Sequence, residues 1–258
     1  KKCSGYTFFG VYIRFLVDKP FDIARENVDN RIDFMEGKAD SMIRAVLFDM
    51  DGTLIDTEKY LTRFWRQAAR EHGVEMTVED SCMLRSFASR YASRWFAERF
   101  GEEADYWGIR KRRKELMSRH LKEHGVEKKP FVDETLKALK EAGYLLAVVT
   151  ATDEERTRQY LTETGIIEWF DRLVCATMVE RGKPYPDVYE YACRQVGCKP
   201  QECLAVEDAP NGLRSALGAG CHVVMVPDLT GAGEELEEKI DGELKNLRDL
   251  PGFLERMA

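Results

Sequence analysis

The sequence predicts a doubly wound α/β fold: a parallel-sheet core carrying an all-helical insert. Three observations predict it. Short apolar, β-branched runs without polar alternation recur along the chain, as strands buried on both faces require. Helical patterns lie between them, so strand and helix alternate. One block, residues 59 to 129, breaks this rhythm and holds helical runs only.

In chain order, residues 1 to 41 form an N-terminal extension without an assigned role, and the core is expected to begin at Met42. The run IRAVLFDMD, from Ile43, is the first strand, and residues 42 to 58 open the core. Within the insert, SFASRYASRWFAERFG spaces Phe87, Tyr91 and Trp95 four apart, which suits the buried face of a helix. IRKRRKELMSRHLKEHG is a second helix, strongly basic, with most of its charges expected in water. Residues 130 to 258 complete the core. FVDETLKALKEAG places Val132, Leu136 and Leu139 on one face and stops at Gly143. GYLLAVVTAT (143 to 152) is the next strand, and DEERTRQYLTETG starts at an N-cap, Asp153. RLVCAT (172 to 177), ECLAVEDA (202 to 209) and CHVVMVPD (221 to 228) are further strands, with helices DVYEYACRQVG and APNGLRSALGAG between them. Right-handed crossovers are expected throughout.

Composition narrows the class. Of the 258 residues, 44% are hydrophobic and 33% charged, which excludes a disordered chain. A net charge of −7 argues against nucleic-acid binding. The charge is uneven: residues 60 to 129 hold sixteen Lys or Arg against eleven Asp or Glu. The apolar run YTFFGVYIRFLV (6 to 17) contains Arg14 and is too short to span a membrane. Seven cysteines, an odd number with no C-x-x-C pair, point to reduced thiols and a cytoplasmic protein. Cys193, Cys198 and Cys203 match no familiar zinc spacing. Monomer and homodimer are equally compatible with the sequence.

The chemistry gathers where such folds bind ligands, at the carboxyl ends of strands. Asp49 and Asp51 end the first strand, Thr150 the second, and Glu207 with Asp208 the fourth; Lys183 lies in the loop RGKPYPD. Each has a plain structural alternative. A lone D-x-D is usually a turn, Thr150 or Glu207–Asp208 a helix cap, and Lys183 an exposed loop lysine. Together, at converging strand ends, they describe one cluster. Adjacent carboxylates repel unless a cation joins them, and an all-oxygen set suits Mg²⁺. Gly52 leaves the backbone free to turn after Asp51.

These motifs resemble those of the haloacid dehalogenase superfamily of phosphohydrolases. DMDGTLIDTE is similar to its first motif, Thr150 in VVTAT to the second, Lys183 in GKPYPD to the third, and VEDAPNGLRSALGAG to the fourth. The resemblance runs from about Met42 to about Pro227. An insert between the first two motifs resembles the β-phosphoglucomutase-like branch, whose Rossmann-like core carries a helical cap. The resemblance implies Asp49 as nucleophile and Asp51 as general acid and base. It implies Mg²⁺ held by Asp49, the Asp51 backbone carbonyl and Asp208, with Glu207 as ligand or supporting partner. Thr150 and Lys183 would bind the phosphoryl oxygens of a small phosphorylated metabolite. Asp51 favours phosphate esters over halides or phosphonates.

The resemblance implies a phosphatase, with a sugar-phosphate mutase as the alternative and a non-catalytic phosphate-binding protein as a third reading. Leu61 stands where such mutases carry a histidine, and Thr53 follows Gly52 as in the hydrolases. Both departures favour hydrolysis, and no catalytic carboxylate is missing. Ala209 replaces a frequent serine of the fourth motif. Substrate choice is expected in the cap, with Arg85, in the loop-like CMLRSF segment, as the candidate for contact with the leaving group and Tyr60 and Trp65 as further candidates.

Overall fold

The computed structural model describes residues 42–85 and 89–257. The expected N-terminal extension, together with Phe87 and Ala88 of the aromatic stripe, lies outside the described residues.

Six parallel strands form one sheet in the order β3-β2-β1-β4-β5-β6. They are β1 (Ala45–Phe48), β2 (Leu145–Thr150), β3 (Arg172–Cys175), β4 (Cys203–Glu207), β5 (His222–Met225) and β6 (Gly242–Glu243). This is the order of doubly wound dinucleotide-type sheets, in which the winding reverses between the first and fourth strands. Ala45 pairs with both Leu145 and Cys203, and Phe48 with both Val148 and Val206, so β1 lies at the centre. The expected strands are all present, each shorter than its apolar run. The chain also forms β6, which its two residues could not announce as a pattern.

Successive strand residues point to opposite faces, and both faces are covered. Val46, Phe48, Leu146, Val148, Leu204 and Val206 belong to one core cluster. That cluster includes residues of α5 (Val132–Glu141), α6 (Glu154–Glu163) and α10 (Leu250–Met257). Ala45, Leu47, Ala147, Val149 and Ala205 face the other side, against α7 (Asp187–Val196) and α8 (Pro210–Gly218). Each fully buried Leu, Val or Phe contributes roughly 1.5–3 kcal/mol. This explains why the strand sequences lack polar alternation. The four-residue α9 (Glu234–Glu237) completes the core.

Four helices leave the core after β1: α1 (Glu58–Glu71), α2 (Val78–Met83), α3 (Ser89–Phe100) and α4 (Tyr106–His124). Their apolar side chains join the same core cluster as the strands. Phe64 and Trp65 from α1 pack with Trp95 and Phe96 from α3 and Ile109 and Met117 from α4. Of the aromatic stripe, Trp95 packs in this cluster, while the Tyr91 ring lies 4.9 Å from that of Tyr185 in the core. The two chain segments joining helices and core pair with each other. Asp56 N donates to Glu127 O (2.8 Å) and Lys129 N to Leu54 O (2.9 Å), around an antiparallel bridge between Ile55 and Lys128. No helix among the described residues is long and apolar enough to cross a membrane.

Candidate active site

The central pairing of β1 with β4 brings the polar strand ends together. Asp49 follows β1 directly, and its backbone N–H donates to Val206 O of β4 (2.9 Å). Glu207 ends β4, and Asp208 follows it. Asp49, Glu207 and Asp208 are all buried, and each offers an oxygen within 4.8 Å of the others.

Lys183 enters this cluster from the loop before α7. Its ammonium donates to Asp49 Oδ1 (2.5 Å), Glu207 Oε1 (2.7 Å) and Val149 O (2.9 Å). Burial works against that charge, but Asp49 and Glu207 outweigh it and raise the Lys183 pKa. The Tyr189 hydroxyl of α7 donates to the same Glu207 oxygen (2.5 Å). Lys183 is therefore a buried charge partner, not an exposed loop lysine.

The acidic cluster suits a divalent cation. Asp49 Oδ2, Glu207 Oε2 and Asp208 Oδ1 are buried without a hydrogen-bond partner among the described residues. Such oxygens are costly unless something positive meets them. Burial, opposed by Lys183, pushes the Glu207 carboxyl up to about 8. Burial, opposed by Arg85, pushes Asp208 up to about 7. A bound cation would reverse both shifts. The backbone is shaped for the cluster too. At Gly52, where φ is +89°, a Cβ would overlap the Asp208 carboxylate, and at Gly212 it would overlap that of Glu207.

Asp51 is held differently. Its Oδ1 accepts from Thr57 (2.5 Å) and its Oδ2 from Thr152 (2.8 Å). Burial and the nearby Asp49 charge raise its pKa, against the pull of these two hydroxyls. A carboxyl that keeps its proton to higher pH suits a general acid. Thr150, at the end of β2, is buried, and its Oγ1 accepts from Thr152 N (3.0 Å).

Asp49, Asp51 and Thr150 open onto a cavity of about 360 Å³. Leu61 and Trp65 of α1 and Arg85 also line it. Trp65 stacks on Tyr106, with the Arg113 guanidinium 4.9 Å from its ring centre. Arg85 does more than line the cavity: its guanidinium pairs with Asp208, with Glu58 (3.1 Å) and with Thr230 Oγ1 (3.1 Å). Tyr60 is directed elsewhere. Its hydroxyl donates to Glu127 (2.8 Å), and its ring lies against His120. Most charges of residues 110 to 122 lie off the cavity, as expected, but Arg110, Arg113 and Lys114 line it.

Sequence reasoning missed four supporting groups: Thr57, Glu58, Thr152 and Tyr189. The first two lie in the DTE of the opening motif, so their neighbourhood to Asp51 was a usable signal. Tyr189 reads as an ordinary buried position of an amphipathic helix.

The residues 46–226 match the family model of the Haloacid dehalogenase-like hydrolases. The chain is 34% identical over 185 residues to Hexitol phosphatase A of Escherichia coli (strain K12), covering 71% of this chain and 82% of that protein. It is 32% identical over 189 residues to Validoxylamine A 7'-phosphate phosphatase of Streptomyces hygroscopicus subsp. limoneus, covering 71% and 85% respectively. The structure of CbbY from Rhodobacter sphaeroides in complex with phosphate superposes with a TM-score of 0.69 at 27% identity, covering 83% of this chain and all of that one. With the carboxylate cluster at the sheet's switch point and the buried lysine beside it, these matches show that the chain belongs to the haloacid dehalogenase-like hydrolase family.

Proposed function

We propose that this chain hydrolyses a small, sugar-like phosphate monoester through an aspartyl-phosphate on Asp49, with Mg²⁺ as the metal. Phosphomonoester hydrolysis is the activity of the family's phosphatase relatives. The observation that carries the residue assignment is the state of Asp49. One of its oxygens accepts from Lys183, while the other is buried without a hydrogen-bond partner among the described residues and its carboxylate borders the cavity.

In the first step an Asp49 carboxylate oxygen attacks phosphorus and the ester P–O bond breaks. The departing oxygen takes the proton of Asp51. In the second, water attacks the phosphorus of the aspartyl-phosphate and gives its proton to Asp51. Asp49 and inorganic phosphate are released. Thr57 and Thr152 keep the Asp51 carboxyl aimed throughout. Lys183 and Thr150 take phosphoryl oxygens and offset their charge. Asp49, Asp208 and the Asp51 carbonyl, with Glu207 beside them, would hold Mg²⁺, which would supply further charge neutralisation.

Leu61 favours hydrolysis over phosphoryl return to a sugar. It lines the cavity and presents a side chain that neither donates nor accepts a proton. The test is phosphate release across a panel of small phosphomonoesters with Mg²⁺. Asp49→Asn should lower it by more than about 1,000-fold with the fold intact. Full activity in that variant would reject the nucleophile. Conversion of β-glucose 1-phosphate to glucose 6-phosphate faster than phosphate appears would select the mutase.

A further inference from the structure

The cavity wall holds an unbalanced group of cations. Arg110, Arg113 and Lys114 of α4 line it at spacings of three and four residues, one helical face, and Arg156 joins them from α6. Their neighbour Arg112 shows how a surface arginine of this helix behaves: it pairs with Glu71 (2.5 Å) and Glu115 (3.3 Å). The cavity-facing set is far less paired. Among the described residues, Arg110, Arg113 and Arg156 have no carboxylate within ion-pair distance, and Lys114 reaches only Asp153, at 4.0 Å. Arg113 Nε is buried without a hydrogen-bond partner.

Four like charges facing one cavity repel one another. The cost is visible at Lys114, whose pKa falls to about 8 through partial burial and then through Arg110, Arg156 and Arg113. It is visible again at Arg113, lowered by burial and by Arg110. The phosphoryl group undergoing transfer already has Lys183 and Thr150 to receive it, beside a carboxylate cluster that would hold a cation. A second positive group on the same cavity is therefore in excess of what one phosphate needs. Guanidinium pairs match the oxygens of phosphate or carboxylate in two-point contacts.

We propose that Arg110, Arg113, Lys114 and Arg156 form a second anion subsite, so that the preferred substrate carries a phosphate or carboxylate in addition to the phosphate that is removed. This rests on the phosphatase reading above. The insert contributes three of the four cations and the core one, so the distal anion bridges the two.

The experiment compares kcat/KM within matched pairs at fixed ionic strength with Mg²⁺: fructose 1-phosphate against fructose 1,6-bisphosphate, and glucose 6-phosphate against 6-phosphogluconate. The subsite predicts that the extra anion raises kcat/KM by about tenfold or more in at least one pair. The pair that responds identifies phosphate or carboxylate. Arg113→Gln and Arg156→Gln, on separate helices, should each shrink that ratio by about tenfold, chiefly through KM of the member that carries the extra anionic group. Ratios near one in both pairs, with esters still hydrolysed, would overturn the subsite and leave the phosphatase standing. So would a ratio that both folded variants leave unchanged. No phosphate release from any ester would overturn the phosphatase reading and the subsite with it.

Discussion

The Lys183 ammonium donates to Asp49 Oδ1 at 2.5 Å, and both side chains are closed off from solvent. The contact ties the α7 approach loop to the end of β1 and sets one Asp49 oxygen. Lys183→Met would leave the Asp49 and Glu207 carboxylates buried without their cation. We expect kcat/KM to fall by at least about 100-fold and the unfolding free energy by about 3 kcal/mol. Phosphate release and urea unfolding read the two separately. Unchanged turnover would deny Lys183 a part in the reaction.

Metal binding should be visible without turnover. The free oxygens of Asp49 and Asp208 imply that Mg²⁺ stabilises the folded chain and EDTA removes the effect. At a concentration 100 times the dissociation constant the gain is about 2.7 kcal/mol. Thermal unfolding with Mg²⁺ or EDTA measures it, and Asp208→Asn should abolish most of the shift. A midpoint indifferent to Mg²⁺ would rule out the cluster as its site.

Gly212 opens the first turn of α8 where the Glu207 carboxylate lies against the backbone. Gly212→Ala inserts a methyl group into that space. The helix backbone tolerates alanine, so the penalty is steric: about 1–3 kcal/mol of stability and reduced turnover. Native stability and full activity together would show that Glu207 can withdraw freely.

Lys114 links stability to pH. Its folded-state pKa of about 8 lies below the ordinary value of 10.5, so between these limits the unfolded chain holds more protons. Stability contributed by Lys114 therefore rises as pH climbs through that window and is lost as pH falls through 8. Against Lys114→Met, the wild type should gain thermal midpoint between pH 8 and 10.5. A constant difference across that range would show that Lys114 is not crowded by its neighbours. Bound inorganic phosphate should weaken the dependence.

Much of this was readable in the chain. Strands buried on both faces leave uninterrupted apolar runs, and a carboxylate at the end of such a run has no packing reason to be there, which singled out Asp49, Asp51, Glu207 and Asp208. What stayed hidden depends on tertiary placement. The Arg85 pair with Asp208 joins residues 123 positions apart, and no local spacing announces it. Arg110 and Arg113 look like any basic helical face until α6 sets Arg156 on the same cavity. β6, with two residues, is too short to carry a period.

The paired segments at Asp56–Glu127 and Leu54–Lys129 have an engineering consequence. Because the four-helix module departs and returns through one narrow two-stranded stem, it can be excised and replaced at that stem without cutting the sheet. A graft that exchanges residues 59–126 and leaves Glu127, Lys128 and Lys129 in the stem should transplant the donor's selectivity, provided the donor also supplies an arginine to pair with Asp208 as Arg85 does.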